Sequence, residues 1–159
     1  MIALKFETEI KGTCQVDKHQ NWIVVDALEF GVGRAIDSIG GGKDRGTNNP
    51  SFSEMAFKKS TDISSADLYF QAVAGKSLGN AEIHFIQTSG TDGKGQVYLT
   101  IELDEPIVSA YSTSSGGDRP TESFTLNFTK ISYQYNAFDG DKIKTGTAKK
   151  WNIAENEPY

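Results

Sequence analysis

The sequence predicts a mainly β protein, an antiparallel barrel or sandwich with one covering helix. Three observations support this class: apolar residues alternate with polar ones along most of the chain, one segment has helical spacing, and glycine-rich turns separate neighbouring strands. At 159 residues and 17.4 kDa, with 37% hydrophobic residues, the chain suits one domain spanning residues 1–159.

Strands are predicted wherever apolar residues share one parity, because alternate side chains of a strand point to the same face. A shorter strand is predicted in "SFSEMAFKK", and the turn "SGTDGKGQ" separates two strands at a hairpin-like distance. The four clearest runs are Ile2, Leu4 and Phe6; Val24, Leu28, Phe30 and Val32; Ala81, Ile83 and Phe85; and Val97, Leu99, Ile101 and Leu103.

The segment "DISSADLYFQAVAGKS" predicts the helix. Ser64 is placed to act as its N-cap, with Asp67 three residues later, and Gly75 can end it. Apolar residues recur inside it at helical spacing: Ile63, Ala66, Phe70 and Val73.

The segment "GGDRPTESFTLNFTKISYQY" changes phase partway along. Two apolar blocks of opposite parity follow each other: Phe124, Leu126 and Phe128, then Ile131, Tyr133 and Tyr135. An extra residue in one strand both bends it and reverses its facing, as closure of a barrel requires. The sequence therefore predicts one strand with a bulge at Thr129 and Lys130.

Two charged stretches are candidates for assembly. Asp118, Arg119 and Glu122 lie at the entrance of that strand, where they could form a corner network or, alternatively, a subunit contact. The polar loop 37–51 is long for a compact domain, which is typical of a functional or a disordered segment. Its predicted ring or stacking contact is made by Gly40, Gly41, Gly42, Lys43, Asp44 and Arg45.

The motifs for catalysis and cofactor binding fail, so we predict no catalytic, cofactor or metal residues. "GGGKD" has Asp44 where a phosphate loop needs Ser or Thr after Lys43. The single Cys14 and the two separated histidines, His19 and His84, match no zinc or triad spacing. Trp22, Trp151 and five tyrosines could form a sugar-binding platform, but aromatic residues are also ordinary strand and core residues.

Composition and the N-terminus argue against three further classes. A net charge of −5 and a pI near 5.0 provide no basic field for nucleic acid. No apolar stretch approaches the roughly 18 residues of a membrane span. "MIALKFETEI" alternates instead of resembling a signal peptide, so any export needs another machine.

The segments "SGGDRPTESFTLNFTKISYQY" and "WNIAEN" resemble the haemolysin-coregulated protein (Hcp) family. Members of this family are the tube proteins of bacterial type VI secretion systems. The resemblance extends to "HQNWIVVDALEFGVGR", "MAFKKSTDISSADLYFQAVAGK", "AEIHFIQTSG" and "VYLTIELDEPIVSAYST", in the expected order. It implies a small β-barrel with a flanking helix, related to phage tail-tube proteins.

The resemblance also implies a function without enzymatic activity or cofactors. The implied assembly is a homohexameric ring that stacks into the inner tube of a contractile machine. The implied partners are other copies of the chain, a contractile sheath, a spike at the tip and small effectors in the lumen. Assembly in the cytoplasm would precede secretion through the machine without a signal peptide. Two alternatives remain: a monomeric or dimeric lectin-like β-sandwich, and a hydrolase with a dispersed site.

Overall fold

A computed structural model describes residues 1–36, 46–88 and 95–159. Strands dominate the described residues, which contain one helix, α1 (Ser65–Ala74). The strands are β1 (Ile2–Phe6), β2 (Ile23–Val25), β3 (Ala27–Glu29), β4 (Val32–Gly33), β5 (Ser51–Phe52), β6 (Met55–Ser60), β7 (Asn80–Thr88), β8 (Gly95–Asp104), β9 (Ile107–Ser114), β10 (Thr121–Asn127), β11 (Lys130–Asp139), β12 (Lys142–Thr145) and β13 (Lys149–Asn152).

The strands form two main antiparallel sheets and a short ribbon. The larger sheet has the order β12-β11-β8-β7-β1-β2, with β13 also paired to β11, and the smaller sheet has the order β3-β6-β10-β9. The ribbon pairs β4 with β5. The mainly β class with one helix is confirmed. Among the described strands, however, hydrogen bonds do not join the two main sheets into a closed barrel.

The core lies between the two sheets, where their apolar faces meet. Its largest fully buried side chains include Phe6, Leu4 and Ile83 from the larger sheet and Phe57 and Phe124 from the smaller one. The rings of Phe57 and Phe124 stack with centroids 4.9 Å apart. Burying such side chains is the main favourable term in folding, about 1.5–3 kcal/mol for each large apolar side chain.

The phase change after Phe128 marks a passage between the sheets. Strand β10 ends at Asn127 in the smaller sheet, and β11 begins at Lys130 in the larger one. The crossing is fixed because the Thr129 N–H donates to the Asp104 carbonyl (3.1 Å). The prediction of one strand bulged at Thr129 and Lys130 is therefore wrong.

The crossing explains only part of the parity pattern. Leu126 and Ile131 both reach the core, although they come from opposite sheets. Tyr133 and Tyr135 share the parity of Ile131, yet 44% and 60% of their surfaces are exposed. Tyrosine is a strand former on solvated faces as well as buried ones, so its parity does not report burial.

Bulges do occur, at two other positions. Phe85 pairs with Leu99 while Ile86 pairs with Val97, which leaves Tyr98 as the extra residue. A second register shift, between β9 and β10, leaves Ser109 extra. Each bulge bends its strand and strengthens the local twist.

The predicted helix is confirmed with its predicted ends. Ser64 is the N-cap and Gly75 the C-cap, where the glycine adopts a left-handed φ of 61°. The Ser64 hydroxyl makes no capping bond. Instead the Asp62 carboxylate accepts from the Ser64 N–H (2.8 Å).

The segment between β1 and β2 covers the outer face of the larger sheet. Cys14 and Trp22 of this segment pack with Ala3 and Ile86 in a second apolar cluster. Gly12 is held there by its N–H, which donates to the Asn21 carbonyl (2.7 Å). A Cβ at Gly12 would overlap the backbone of Trp22 and Ile23.

We expect Gly12→Ala to lower the free energy of unfolding by about 1–3 kcal/mol, because the added methyl group must displace backbone atoms of Trp22 and Ile23. Urea denaturation monitored by tryptophan fluorescence measures the change. Gly33→Ala is the matched control, since a Cβ there meets nothing within 4 Å. Equal stability of the two variants would contradict the close approach at Gly12.

Candidate functional site

The structure separates the three residues proposed for a corner network. Asp118 and Arg119 lie exposed in the turn between β9 and β10. Glu122 is only 1% exposed and points into the protein. Its partners come from β6, β9 and the start of α1, so the network of Glu122 forms without Asp118 or Arg119.

Lys59 lies at the centre of that network and is also 1% exposed. Its ammonium group donates to Glu122 Oε1 (2.6 Å), Asp62 Oδ1 (2.8 Å) and the Ser60 carbonyl (3.0 Å). These bonds use all three donors of the lysine. A buried lysine is tolerated only when it is paired and hydrogen-bonded in this way.

The Glu122 carboxylate is equally well satisfied. Oε1 also accepts from the Ser65 hydroxyl (3.0 Å), and Oε2 accepts from the Tyr111 hydroxyl (2.6 Å). Burial and this bond to Glu122 raise the pKa of Tyr111, which therefore remains a donor at neutral pH. The network thus joins β6, β10, β9 and the first turn of α1.

Asp62 completes the network at the protein surface. Burial by itself would raise the pKa of Asp62, but hydrogen bonds from Lys59 and Ser64 outweigh it and hold that pKa below 3.8. The carboxylate is therefore ionised at neutral pH. It binds the Lys59 ammonium and the helix start at the same time.

The two histidines, distant in sequence, are hydrogen-bonded. His19 Nε2 lies 2.8 Å from His84 Nδ1, and Trp22 packs against both rings with centroid distances of 4.7 Å. Burial, then the charges of His19 and Lys5, lower the pKa of His84 from 6.5 to about 4. His84 is therefore neutral at pH 7, and the pair ties the covering segment to β7.

The described part of the chain adds no third metal-ligating side chain to the two histidines. Among residues 1–36, 46–88 and 95–159, no three His, Cys, Asp or Glu side chains come together as a metal site requires. The absence of catalytic and metal residues remains a prediction.

The proposed ring or stacking residues, Gly40 to Arg45, lie outside the described residues. The base of their loop is described. Strands β4 and β5 pair there, and Ile36 bridges Thr47 in the same antiparallel ribbon. The Asn48 N–H donates to the Ala35 carbonyl (3.0 Å) within it.

The apolar residues that predicted the helix face solvent. Leu68 and Ala72 are the residues of α1 that pack against the core. We name the opposite side the outer helix face, defined by Ile63, Ala66, Phe70 and Val73. Its three large side chains, Ile63, Phe70 and Val73, are 66%, 60% and 68% exposed. An apolar group of this kind on a small protein is typical of an interaction surface.

A depression of about 460 Å³ lies on the smaller sheet. We name it the sheet groove. Its floor consists of small outward-facing residues: Ala27, Ala56, Ala110, Ser112, Ser123 and Thr125. Glu29 and Lys58 also line it, and Lys58 lies between Ala27 and Ser123 in the sheet register. The bulge at Ser109 bends β9 beside it, and the Ser109 hydroxyl bonds to Glu54 (2.8 Å) and Thr125 (2.7 Å).

Sequence reasoning missed both surfaces. The spacing of Ile63, Phe70 and Val73 predicts the helix but not which side is buried. The small residues of the sheet groove occupy alternate positions of four strands that are far apart in sequence. Their neighbourhood becomes visible only when the register is known.

Comparison with known proteins decides the family. The family model described as "Type VI secretion system effector, Hcp" matches residues 4–135. The chain belongs to the Hcp family.

Relatives of this Hcp chain agree in sequence and fold. Protein hcp1 of Pseudomonas aeruginosa is 38% identical over 108 residues, and the match covers 65% of each chain. The chain thus spans about two thirds of the length of this curated relative.

Within the described residues, no helix has both the length and the apolar character needed to cross a membrane.

Solved structures share the fold over almost the whole chain. One, described as a type six secretion system protein, has a TM-score of 0.89 at 23% identity and covers 99% of this chain and 98% of its own. Hcp1 from Salmonella typhimurium has a TM-score of 0.77 at 21% identity, with 99% and 97% covered. At these identities the likeness shows the fold.

Replacing Lys59 by Met should lower the free energy of unfolding by about 3–5 kcal/mol, because it leaves Glu122 buried without its counter-charge. The double variant Lys59→Met, Glu122→Gln should recover more than half of that loss. Lys144→Met, an exposed lysine on β12, is the control and should change stability by less than about 0.5 kcal/mol. Urea midpoints measure all three. A single variant as stable as the control would show that the pair contributes little.

The His84 pKa predicts a pH dependence of stability. Because the pKa of about 4 in the folded protein lies below the ordinary histidine pKa of 6.5, the unfolded chain binds the proton first as the pH falls. Stability should therefore be constant above pH 6.5 and decline from there toward pH 4. His84→Gln should remove at least about half of this decline, measured by urea denaturation with pH 8 as each protein's reference. Parallel pH profiles would contradict the assignment.

Proposed function

We propose that this Hcp chain is a structural subunit of the type VI secretion inner tube, forming hexameric rings that stack and carry effectors in the lumen. The observation that supports it most is the match of the family model over residues 4–135, together with a shared fold over 99% of the chain. The outer helix face adds support, because its exposed apolar side chains would be covered in an assembly.

The proposal includes the partners and route of a tube subunit. A contractile sheath would surround the tube, a spike would sit at its tip, and small effector proteins would travel inside. Assembly in the cytoplasm would precede export through the system without a signal peptide. No enzymatic activity is needed for this role. The loop residues Gly40 to Arg45, and the turn residues Asp118 and Arg119, remain proposed subunit contacts on the strength of the sequence.

The sheet groove is the one observation that supports an alternative function, that of a small lectin-like ligand-binding module. Its volume of about 460 Å³ lies within the size range of small-molecule pockets. Such a module would be a monomer or dimer. The aromatic residues that line the groove, Phe57, Tyr111 and Phe124, turn their side chains toward the core, and the outward-facing alanines and short hydroxyl side chains give a sugar ring nothing to stack on. This favours the tube subunit instead.

The solution mass separates the two functions. Six copies of 17.4 kDa make a ring of about 104 kDa. We expect light scattering to give this mass at micromolar concentration, and electron microscopy to show rings and short stacks. A mass of one or two copies at every concentration, with no rings, would support the ligand-binding module.

A further inference from the structure

We propose that the hydrogen-bonded pair of His19 and His84 is an acid-sensitive clasp on the covering segment. The clasp holds residues 12–22 on the outer face of the larger sheet at neutral pH and releases them when both rings are protonated. It acts within a single copy of the chain, so it does not depend on the proposed tube function.

The two rings share a hydrogen bond only while one of the facing nitrogens lacks a proton. His19 Nε2 lies 2.8 Å from His84 Nδ1, and His19 Nδ1 lies 3.1 Å from the Asp17 carbonyl oxygen. Because a carbonyl only accepts, His19 Nδ1 carries a proton, and in the neutral pair His84 Nδ1–H donates to His19 Nε2. One added proton still leaves a donor on one ring and an acceptor on the other. A second proton removes the acceptor and places two imidazolium rings 5.1 Å apart, so the bond is lost.

The backbone of residues 12–22 forms a hairpin of its own. The Gly12 N–H donates to the Asn21 carbonyl (2.7 Å), and the Asn21 N–H donates to the Cys14 carbonyl (3.0 Å). Bonds of this kind persist when the segment moves as a unit. The hairpin can therefore leave the sheet without unfolding the strands beneath it.

The His19–His84 bond is the strongest polar attachment of this hairpin. Within the described residues, three hydrogen bonds join its side chains to other parts of the chain. The histidine bond is 2.8 Å long, whereas Thr13 lies 3.4 Å from Asp62. The third joins Cys14 Sγ to a methionine sulfur at 3.9 Å, and thiols are weak donors. Loss of the histidine bond therefore removes most of the polar attachment.

The charges around the pair oppose a second proton. Burial, then the charges of His19 and Lys5, lower the pKa of His84 to about 4. The Lys5 ammonium group lies 5.7 Å from the centre of the Trp22 ring, which packs on both histidines. The other charged side chains next to the pair, in sequence or in sheet register, are exposed: Asp17, Lys18, Glu82 and Glu102.

Acid therefore favours the open segment. Once released, His84 has its ordinary environment and binds a proton more readily than in the closed segment. Closed and open pKa values of about 4 and 6.5 raise the open fraction by up to about 30-fold between pH 8 and pH 5.

The thiol of Cys14 reports the opening. Cys14 is the only cysteine of the sequence and is 2% exposed in the closed segment. Dithiodipyridine reacts with thiols at acidic as well as neutral pH. Its rate with the native protein, divided by its rate with the urea-unfolded protein at the same pH, measures the open fraction. We expect this ratio to rise about 10- to 30-fold from pH 8 to pH 5.

Three variants assign the rise to the clasp. His84→Gln cannot take up the proton, so its ratio should change by less than about twofold over the same range. Glu82→Gln is the matched control, because it lies two residues away on the same sheet face, and it should keep the full rise. Lys5→Gln removes a charge that lowers the pKa of His84, so its rise should be smaller than that of the wild-type protein.

Low urea distinguishes release of the segment from unfolding of the whole chain. A local opening exposes little surface, so about 1 M urea should change the ratio by less than about twofold. Global unfolding would instead increase it about tenfold or more under the same conditions.

Three results would overturn the clasp: a ratio that stays flat from pH 8 to pH 5 in the wild-type protein, an equal rise in a folded His84→Gln variant, or the urea response of global unfolding. Circular dichroism shows whether each variant is folded. If His84→Gln does not fold, Lys5→Gln decides, and a rise equal to that of the wild-type protein would then count against the clasp.

Discussion

The buried pair of Lys59 and Glu122 is the interaction on which the placement of α1 depends. A lysine with 1% of its surface exposed must keep all its hydrogen bonds, since an unpaired buried charge costs several kcal/mol. Its acceptors come from β10 and from the residues just before the helix. Glu122 in turn accepts from Ser65, the first helical residue. The helix start is therefore held against the smaller sheet in one orientation.

That orientation decides which side of the helix meets water. Because Ser65 and Leu68 face the sheets, the opposite side, with Phe70 and Val73, faces outward. This arrangement does not stabilise an isolated copy, because Phe70 and Val73 stay exposed. Burying either side chain would contribute about 1.5–3 kcal/mol. The polar network thus fixes a position that leaves apolar surface free for another molecule. Its contribution is to orientation as much as to stability.

The sequence predicted the helix and most strands well, but it did not predict which side chains face the core and which face solvent. The helix ends at Ser64 and Gly75 could be predicted because capping residues act locally. The passage between sheets after Phe128 could not, because a bulge and a crossing both reverse parity in the sequence. Burial of Lys59 was equally hidden, since its partner Glu122 is 63 residues away. The His19–His84 bond depends on how the covering segment packs, which no spacing reveals.

The outer face of the larger sheet is covered by another segment of the chain, whereas the outer face of the smaller sheet carries the sheet groove. The chain itself covers the larger sheet, where Cys14 and Trp22 close over Ala3. The outer face of the smaller sheet carries several short side chains at the groove, among them Ala56 and Ser123, together with the charged Glu29 and Lys58. These residues contribute little to the core, because their strand neighbours Phe57 and Phe124 face inward. The core and the outer face of the smaller sheet therefore depend on alternate residues of the same strands, so a substitution on the outer face can change that surface while the core stays intact.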